Sequence, residues 1–495
     1  MHPKKAPGPD CITNKVVQRL PPFLLTLLLS IFNVLLSTCS FPDVWKEAVV
    51  IGIPKPGKPK NEPSSYRPIS LLNTFSKIYE KLLLGRLKAV VHSKNLLMDE
   101  QFGFRANHSC VQQVHRLTEH ILTGFTRPGK RPRGTGALFF DVAKAFDKVW
   151  HSGLLYKLIH MGVPDGLVHI LRDFLSNRSF RYRVEGTRSS PHPLRAGVPQ
   201  GSALSPLLYA LYTSDMPRHP NVELALFADD TALFTSHPLP GSIVTTLQAA
   251  TTALGEWFRR WRIEVNPDKS SAIYFNRFYR TRIRSKMTRS VSLFNRPIPW
   301  AKSAKYLGVN FDERLSFRKH IRIVKNRAAF VLGRLYPLLN KNTKMSLRNK
   351  TTLYKTCIRP IMTYACVAFG HTKAVQSLQG IQNRFMRAAT GSPWYVRNVD
   401  LHRDLDLPTI AQYIKQLATS YFKSAAVHPN PLIVRAVNYD PIPNASFLTR
   451  RPRHVLVDPD DEITVANIAD RSSPSSTQHS HNTHTHRRNR LANSN

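Results

Sequence analysis

The sequence predicts an α+β protein, and three observations carry that reading. Ala137-Leu-Phe-Phe-Asp141-Val-Ala-Lys-Ala-Phe146-Asp147 is a short apolar run that ends in a carboxylate, with a helix-like segment just after it. Glu223-Leu-Ala-Leu-Phe-Ala-Asp229-Asp230-Thr-Ala-Leu-Phe234 flanks an Asp pair with apolar residues on both sides, the pattern of a hairpin with acids at its turn. Ile321, Val324, Ala328, Val331 and Leu335 recur at spacings of three and four, which predicts a helix with one packed face. Leu378, Ile381, Phe385 and Ala388 suggest a second.

The chain has 495 residues, room for about three domains at ~150 residues each. With 42% apolar and 21% charged residues it can build a core of ordinary size. Cys11, Cys39, Cys110, Cys357 and Cys366 form no C-x-x-C pair. That excludes a zinc ribbon, argues against a disulfide scaffold and fits a reducing, intracellular compartment. Residues 20–42 carry no charged side chain and are long enough to span a bilayer. Yet Thr26, Ser30, Asn33 and Ser37 form a polar stripe opposite Leu24, Leu25, Leu28, Ile31, Phe32 and Leu35, with prolines at both ends. A two-faced globular helix is expected there, and no membrane partner. A basic start followed by Pro and Asp is not a signal peptide.

Charge is the strongest compositional signal. The 71 Lys and Arg against 31 Asp and Glu leave +40, which points to a polyanion, with nucleic acid ahead of a membrane surface. From Lys269 to Val399 the sequence holds 27 Lys and Arg and only Asp312 and Glu313, a net of +25. Solvated helical faces usually mix signs, whereas one-signed charge at this density calls for a phosphate backbone. Arg318, Lys319, Arg322, Lys325 and Arg327 fill the polar face of the first basic helix. Residues 471–495 are Ser, Thr, Asn, His and Arg with almost no apolar content, so disorder is expected there. His479, His481, His484 and His486 in that tail are read as polar tail rather than metal ligands.

The chemistry sits in the two carboxylate segments. Two ionised carboxylates about 4 Å apart repel by ~4 kcal/mol at an effective dielectric of 20, so an apolar setting needs a cation to offset them. Hard oxygen ligands without neighbouring Cys or His favour magnesium over zinc. Two such ions ~3.5–4 Å apart can activate a 3′-hydroxyl and stabilise a leaving pyrophosphate. A solvated Asp pair and a helix-capping Asp141 account for the same letters, and the two segments in this order favour the metal. Between them, Arg195-Ala-Gly-Val-Pro-Gln200-Gly201 is turn chemistry, and Leu204, Leu207, Leu208 and Leu211 then follow helical spacing. Glycine there allows close backbone approach to a nucleotide, and the Gln200 amide both donates and accepts.

Phe140-Asp141 with Phe146-Asp147, Gly197-Val-Pro-Gln-Gly201, Phe227-Ala-Asp-Asp230 and Lys305-Tyr-Leu-Gly308 resemble the successive motifs of reverse transcriptases. Lys4-Lys-Ala-Pro-Gly-Pro-Asp10, Ile53-Pro-Lys-Pro-Gly57, Tyr66-Arg-Pro-Ile-Ser70, Gln101-Phe-Gly-Phe-Arg105 and Asp147-Lys-Val-Trp-His151 resemble the LINE-type, non-LTR retrotransposon enzymes of the jockey-like group. The resemblance covers about residues 4–420 and implies a right-hand polymerase: fingers, a palm on an antiparallel sheet, and a helical thumb. It implies metal ligation by Asp141, Asp229 and the Val142 carbonyl, with Asp230 as the supporting acid. Two magnesium ions are expected, with manganese as a possible substitute. It further implies that Phe146 gates against a ribose 2′-hydroxyl, and that Arg67 and Lys55 hold the triphosphate. Gln200 and Gly201 would line the nucleotide, Lys269 would protonate the pyrophosphate, and Tyr306, Leu307 and Gly308 would form the primer grip. Asp147 is expected to pair or cap locally rather than ligate.

The implied function is RNA-directed DNA synthesis from a DNA 3′-hydroxyl, with an RNA template, DNA primer or target, and dNTPs as partners. Assembly with the element RNA as a ribonucleoprotein is expected, in cytoplasm and nucleus. The expected division is an N-terminal extension over 1–34, fingers and palm over 35–312, a basic thumb over 313–420, and a C-terminal segment over 421–495. Cys11 and Ala143 depart from the family pattern, away from the metal site. Complete elements place an endonuclease before the polymerase, so the chain reads as a fragment lacking it. Asp458, Asp460, Asp461 and Glu462 are read as a solvated acidic turn. A group II intron-type maturase shares most of these motifs, and a catalytically dead RNA-binding remnant would explain the charge alone.

Overall fold

The computed structural model describes residues 3–126, 133–277, 290–443, 445–446 and 449–466. The expected disorder from residue 471 and the four tail histidines lie outside these residues. Strands β1 (Glu47–Pro54) and β2 (Tyr66–Leu71) pair antiparallel, with Ile53 opposite Arg67. The long strand β3 (Gly134–Val142) follows in another sheet, and then β4 (Ser179–Val184) returns parallel to β1. The short strands β5 (Thr187–Arg188) and β6 (His192–Pro193) close the edge of that first sheet.

The second sheet holds the centre of the molecule. Its strands are β7 (Glu223–Phe227), β8 (Asp230–His237), β3 and β9 (Val265–Phe275), in the order β7-β8-β3-β9 and antiparallel throughout. Side chains alternate across a strand, so both faces of β3 must be apolar if both are covered. They are covered. Ala137 and Phe139 join one core with Ala232 and Phe234, while Leu138 and Phe140 join the other with Leu224 and Leu233. The first core contains the helix Cys110–Phe125 and the basic helix Arg318–Leu339; the second contains the helices His151–His160, Ser205–Tyr212 and Pro240–Arg260. Asp141 and Asp230 fall in step with the first face, so they come out where the sheet meets the basic helical region.

Two small hairpins follow, β10 (Ser292–Leu293) with β11 (Arg296–Pro297) and β12 (Ser303–Tyr306) with β13 (Val309–Asp312). In the basic helix Ile321, Val324 and Ala328 are buried, while Arg318, Lys319, Arg322 and Arg327 are exposed, as the spacing predicts. The Pro22–Ser37 helix keeps its expected two faces only in part. Phe32 is buried beside Tyr79 and Trp45, and Leu28 and Leu35 pack against the same core, but Leu25 and Ile31 are exposed along with Phe23, Leu27, Leu29 and Val34. Among the described residues no helix is long and apolar enough to cross a membrane. The Pro22–Ser37 helix runs across the boundary expected after residue 34, and the Ile410–Ala426 helix across that after residue 420.

The segment beyond residue 426 is tied down by ion pairs. Arg451 meets the buried Glu119, to which the Tyr439 hydroxyl also donates at 3.0 Å. Arg435 and the buried Arg116 share Glu223 at 2.7 and 2.5 Å. The acidic turn is not simply solvated, because its carboxylates meet cations or hydroxyls of neighbouring elements: Asp458 pairs with Arg450, Lys415 reaches Asp460 at 3.0 Å, and the Thr409 hydroxyl donates to Asp461 at 2.6 Å.

A buried carboxyl joins the helix Thr74–Ser93 to the loop before Ser205–Tyr212. Glu80 is wholly buried and accepts from the Ser202 hydroxyl and the Ala203 N–H, both at 2.6 Å, and from Ser76 at 3.1 Å. Burial pushes its pKa above the ordinary 4.5, against the lowering effect of those donors and of Arg178. An acid whose pKa is raised on folding binds more protons folded than unfolded, so stability falls as pH climbs from the unfolded value through the folded one. Glu80→Gln keeps an acceptor without the charge. Urea unfolding at stepped pH should show stability falling from about pH 4.5 upward in the wild type and a flatter profile in Glu80→Gln. Identical pH slopes would mean that Glu80 ionises freely and that burial does not govern it.

Candidate active site

The β7–β8 hairpin closes on a two-residue turn, Ala228-Asp229, between the paired residues Phe227 and Asp230. Register then places Asp230 directly opposite Asp141 on β3. Directly paired residues of antiparallel strands have Cα atoms about 4.5–5.5 Å apart, so three acids share one end of the sheet. On the other side of β3, Asp141 faces Asn266 of β9 across an irregularity in register. There the Asp141 N–H donates to the Ser270 hydroxyl at 3.2 Å, and that hydroxyl donates to the Asn266 carbonyl at 2.7 Å.

Electrostatics bears the crowding out. The three carboxylates are open to solvent, yet the protein walls around them still desolvate the charged form. Desolvation first, then Asp229 and Asp141, pushes Asp230 up to about 6, with Lys305 pulling the other way. Asp229 is raised by desolvation and by Asp141, while Arg67 lowers it. A cation among them would relieve this repulsion, and oxygen-only donors suit a hard divalent ion. Among the described residues no three His, Cys, Asp or Glu side chains are gathered around a metal-sized position. Backbone register is what brings these acids together, against their mutual repulsion.

The turn needs support, because Ala228 has φ +56°, a conformation that usually falls to glycine. Gln101 supplies it. Its buried Oε1 accepts from the Ala228 N–H at 3.2 Å and from the Gly103 N–H at 2.9 Å. A Cβ on Gly103 would lie 2.2 Å from the Ala228 nitrogen, so only glycine lets the two segments meet. Sequence reasoning assigned neither residue a role; Gln101-Phe-Gly-Phe was quoted for its resemblance, and the Gln-x-Gly spacing was the available signal. Glu80 left no such signal, since one acid among Lys77, Lys81, Arg86 and Lys88 reads as surface.

Phe146 lies in a 3₁₀ turn, Ala145–Lys148, stacked on Tyr209 with ring centroids 5.0 Å apart and met edge-on by Phe104 at 5.7 Å. Burial and Asp229 both raise the Tyr209 hydroxyl pKa, which places this aromatic wall beside the acids. Asp147 accepts from the Gln200 amide at 2.8 Å and so fixes a side chain 53 residues away. Gly201, at φ +141°, brings its backbone against Ser70 on β2, where a Cβ would lie 2.3 Å from the carbonyl oxygen. The Ser70 N–H donates to the Gln200 carbonyl at 2.8 Å. Arg67 sits exposed on β2, and the Lys55 ammonium donates to the Ser64 carbonyl at 2.9 Å.

One expected residue stands differently. The Tyr306 ring is buried against Phe139 at 5.1 Å, so it supports the sheet and presents no surface of its own. Leu307 and Gly308 form the tight turn between β12 and β13, at φ +43° and +84°, with the Tyr364 hydroxyl donating to the Leu307 carbonyl at 3.0 Å. Lys269 is exposed on β9, joined to the site through its N–H, which donates at 3.2 Å to Oδ1 of Asn266, the register partner of Asp141. Val142 ends β3 opposite Val265.

Residues 53–311 match the reverse transcriptase (RNA-dependent DNA polymerase) family. The chain is 38% identical over 450 residues to the probable RNA-directed DNA polymerase from transposon BS of Drosophila melanogaster, and 36% over 460 to that from transposon X-element of the same fly. It is 34% identical over 465 residues to the RNA-directed DNA polymerase from mobile element jockey, again of Drosophila melanogaster. These alignments cover 89%, 91% and 91% of this chain and 49% of each relative, so the chain spans about half the length of the curated relatives it matches. The matched residues include all four strands of the central sheet, the fold is that of a right-hand polymerase, and the chain belongs to the reverse transcriptase family.

Proposed function

We propose that this chain is an RNA-directed DNA polymerase of a non-LTR retrotransposon, extending a DNA 3′-hydroxyl on an RNA template with dNTPs. The observation that carries the reading is the register of Asp141 against Asp230, with Asp229 in the adjoining turn. A purely RNA-binding remnant has no use for three acids crowded at cost to one another. Relatives at 34–38% identity that are named as transposon polymerases favour this reading over a maturase.

Reverse transcriptases use divalent metal ions; here two magnesium ions are proposed, with manganese as a substitute. Asp141, Asp229 and the Val142 carbonyl would hold them, with Asp230 in support. When bound, such ions supply Lewis-acid activation of the 3′-hydroxyl and neutralise charge on the leaving pyrophosphate. Arg67 and Lys55 would hold the triphosphate, Arg67 through its planar fork of donors. Phe146 is braced by Tyr209 and Phe104, so a nucleotide sugar at its edge finds no room for a 2′-oxygen. Gln200, fixed by Asp147, and Gly201 would line the base, and Lys269 would donate a proton to the pyrophosphate. The Leu307–Gly308 turn would bear on the primer end, with Tyr306 beneath it. The basic helices over 313–420 would track the duplex backbone. Assembly with the element RNA, inside the cell in cytoplasm and nucleus, completes the proposal.

Asp141→Asn and Asp229→Asn keep side-chain size and remove charge. Each should slow primer extension on RNA at least ~10³-fold, about 4 kcal/mol of transition-state stabilisation, with hybrid affinity unchanged. Near-wild-type extension by Asp229→Asn would sink the metal assignment. Phe146→Val opens space beside the sugar and should raise the ratio of kcat/KM for ribonucleotides over deoxynucleotides. A fixed ratio with both rates lowered would reduce Phe146 to packing.

A further inference from the structure

An exposed aromatic pair lies on the basic helical region, on the loop that follows the helix Gln379–Thr390. Trp394 and Tyr395 are 86% and 70% exposed, with their rings edge to face at 6.0 Å. Large aromatic surface left in water is unfavourable unless something covers it. The loop that presents them is built rather than loose. Gly391 turns the chain at φ +73° and its N–H donates to the Arg387 carbonyl at 2.9 Å. The Arg387 guanidinium then reaches forward, donating to the carbonyls of Pro393 and Val396 at 2.6 and 2.8 Å and to Asn398 Oδ1 at 3.1 Å. One cation thereby spans both sides of the aromatic pair and fixes it outward.

Beside the loop is a second feature that points to the same ligand. A cleft of about 480 Å³ opens between the end of the Arg318–Leu339 helix and the start of this loop, lined in part by Tyr336, Lys341, Asn342, Thr343, Arg387 and Ser392. Its charged members are cations, and Tyr336 is 53% exposed. The nearest acid along the loop, Asp400, is paired with Arg397 at 3.2 Å. Cations that meet phosphate, next to unpaired rings that offer a stacking face, are the two parts of a single-strand site. A duplex has its bases already stacked and would use only the charge.

We propose that Trp394 and Tyr395, with the Lys341–Arg387 cleft, form a binding platform for single-stranded nucleic acid, apart from the carboxylate site. It rests on the reading of the chain as a nucleic-acid polymerase, and its occupant is an unpaired stretch of the template RNA. Bases stack on the two rings, and the backbone phosphates lie along the cleft. Stacking takes any base, so the platform retains template without selecting sequence.

Fluorescence anisotropy with a labelled, unstructured U12 RNA, a T12 DNA and a blunt RNA–DNA hybrid tests this. The double variant Trp394→Ala/Tyr395→Ala should bind U12 RNA at least ~10-fold more weakly than wild type, while Trp394→Phe stays within about threefold. Affinity for the hybrid, and extension of a fully paired short primer–template, should stay within about twofold. Loss on T12 as well as U12 assigns the platform to any single strand, and loss on U12 alone assigns it to RNA; both support it. Unchanged U12 binding by the double variant would overturn the platform, as would equal loss on U12 and hybrid. Aromatic-dependent U12 binding without primer extension would sink the polymerase reading and leave the platform standing. A chain that binds none of the three ligands overturns both.

Discussion

Everything at the candidate site depends on one strand pairing, β3 with β8, which sets Asp141 opposite Asp230. A slip of one residue would send Asp141 to the other face and bury a carboxylate among Leu138 and Phe140. Burial of both sheet faces is what forbids the slip, since each apolar side chain already has its own core. The same pairing sets like charges side by side, and desolvation together with Asp229 and Asp141 raises the Asp230 pKa. Neighbouring loops keep the crowded acids in place: Gln101 and Gly103 clasp the turn, and Glu80 anchors the loop that carries Gln200 and Gly201.

The two cores divide the labour of the sheet. One joins it to the Ser205–Tyr212 and Pro240–Arg260 helices, which hold the aromatic wall under Phe146. The other joins it through the Cys110–Phe125 helix to the buried side of the basic helices, in one continuous core. The C-terminal ion pairs of Arg451 with Glu119 and Arg435 with Glu223 close the far side of that core.

Much of this was legible in the residues. Short continuous apolar runs beside carboxylates announced the central strand and the hairpin, and spacings of three and four announced the Arg318–Leu339 helix. What sequence could not convey was contact between distant segments. The Gln-x-Gly spacing hints at a turn, but it does not point from Gln101 to Ala228, 127 residues away. The acids near residue 460 looked solvated because their cations, Lys415 and Arg450, lie in other elements. Tyr306 looked like a contact residue because a motif does not say which way a ring faces; strand alternation turns it inward against Phe139. In the Pro22–Ser37 helix the spacing placed Leu28, Phe32 and Leu35 on the packed side, but it could not tell that the core is too narrow to cover Leu25 and Ile31 as well.

The central claim is that register gathers three carboxylates to hold divalent ions. Electron paramagnetic resonance titration of Mn²⁺ into the protein bound to an RNA–DNA primer–template and a non-hydrolysable dNTP tests it directly. Wild type should take up two tightly bound ions per chain, and Asp141→Asn should lose tight binding of at least one without losing the primer–template. The same number of tight ions in wild type and Asp141→Asn would contradict the account.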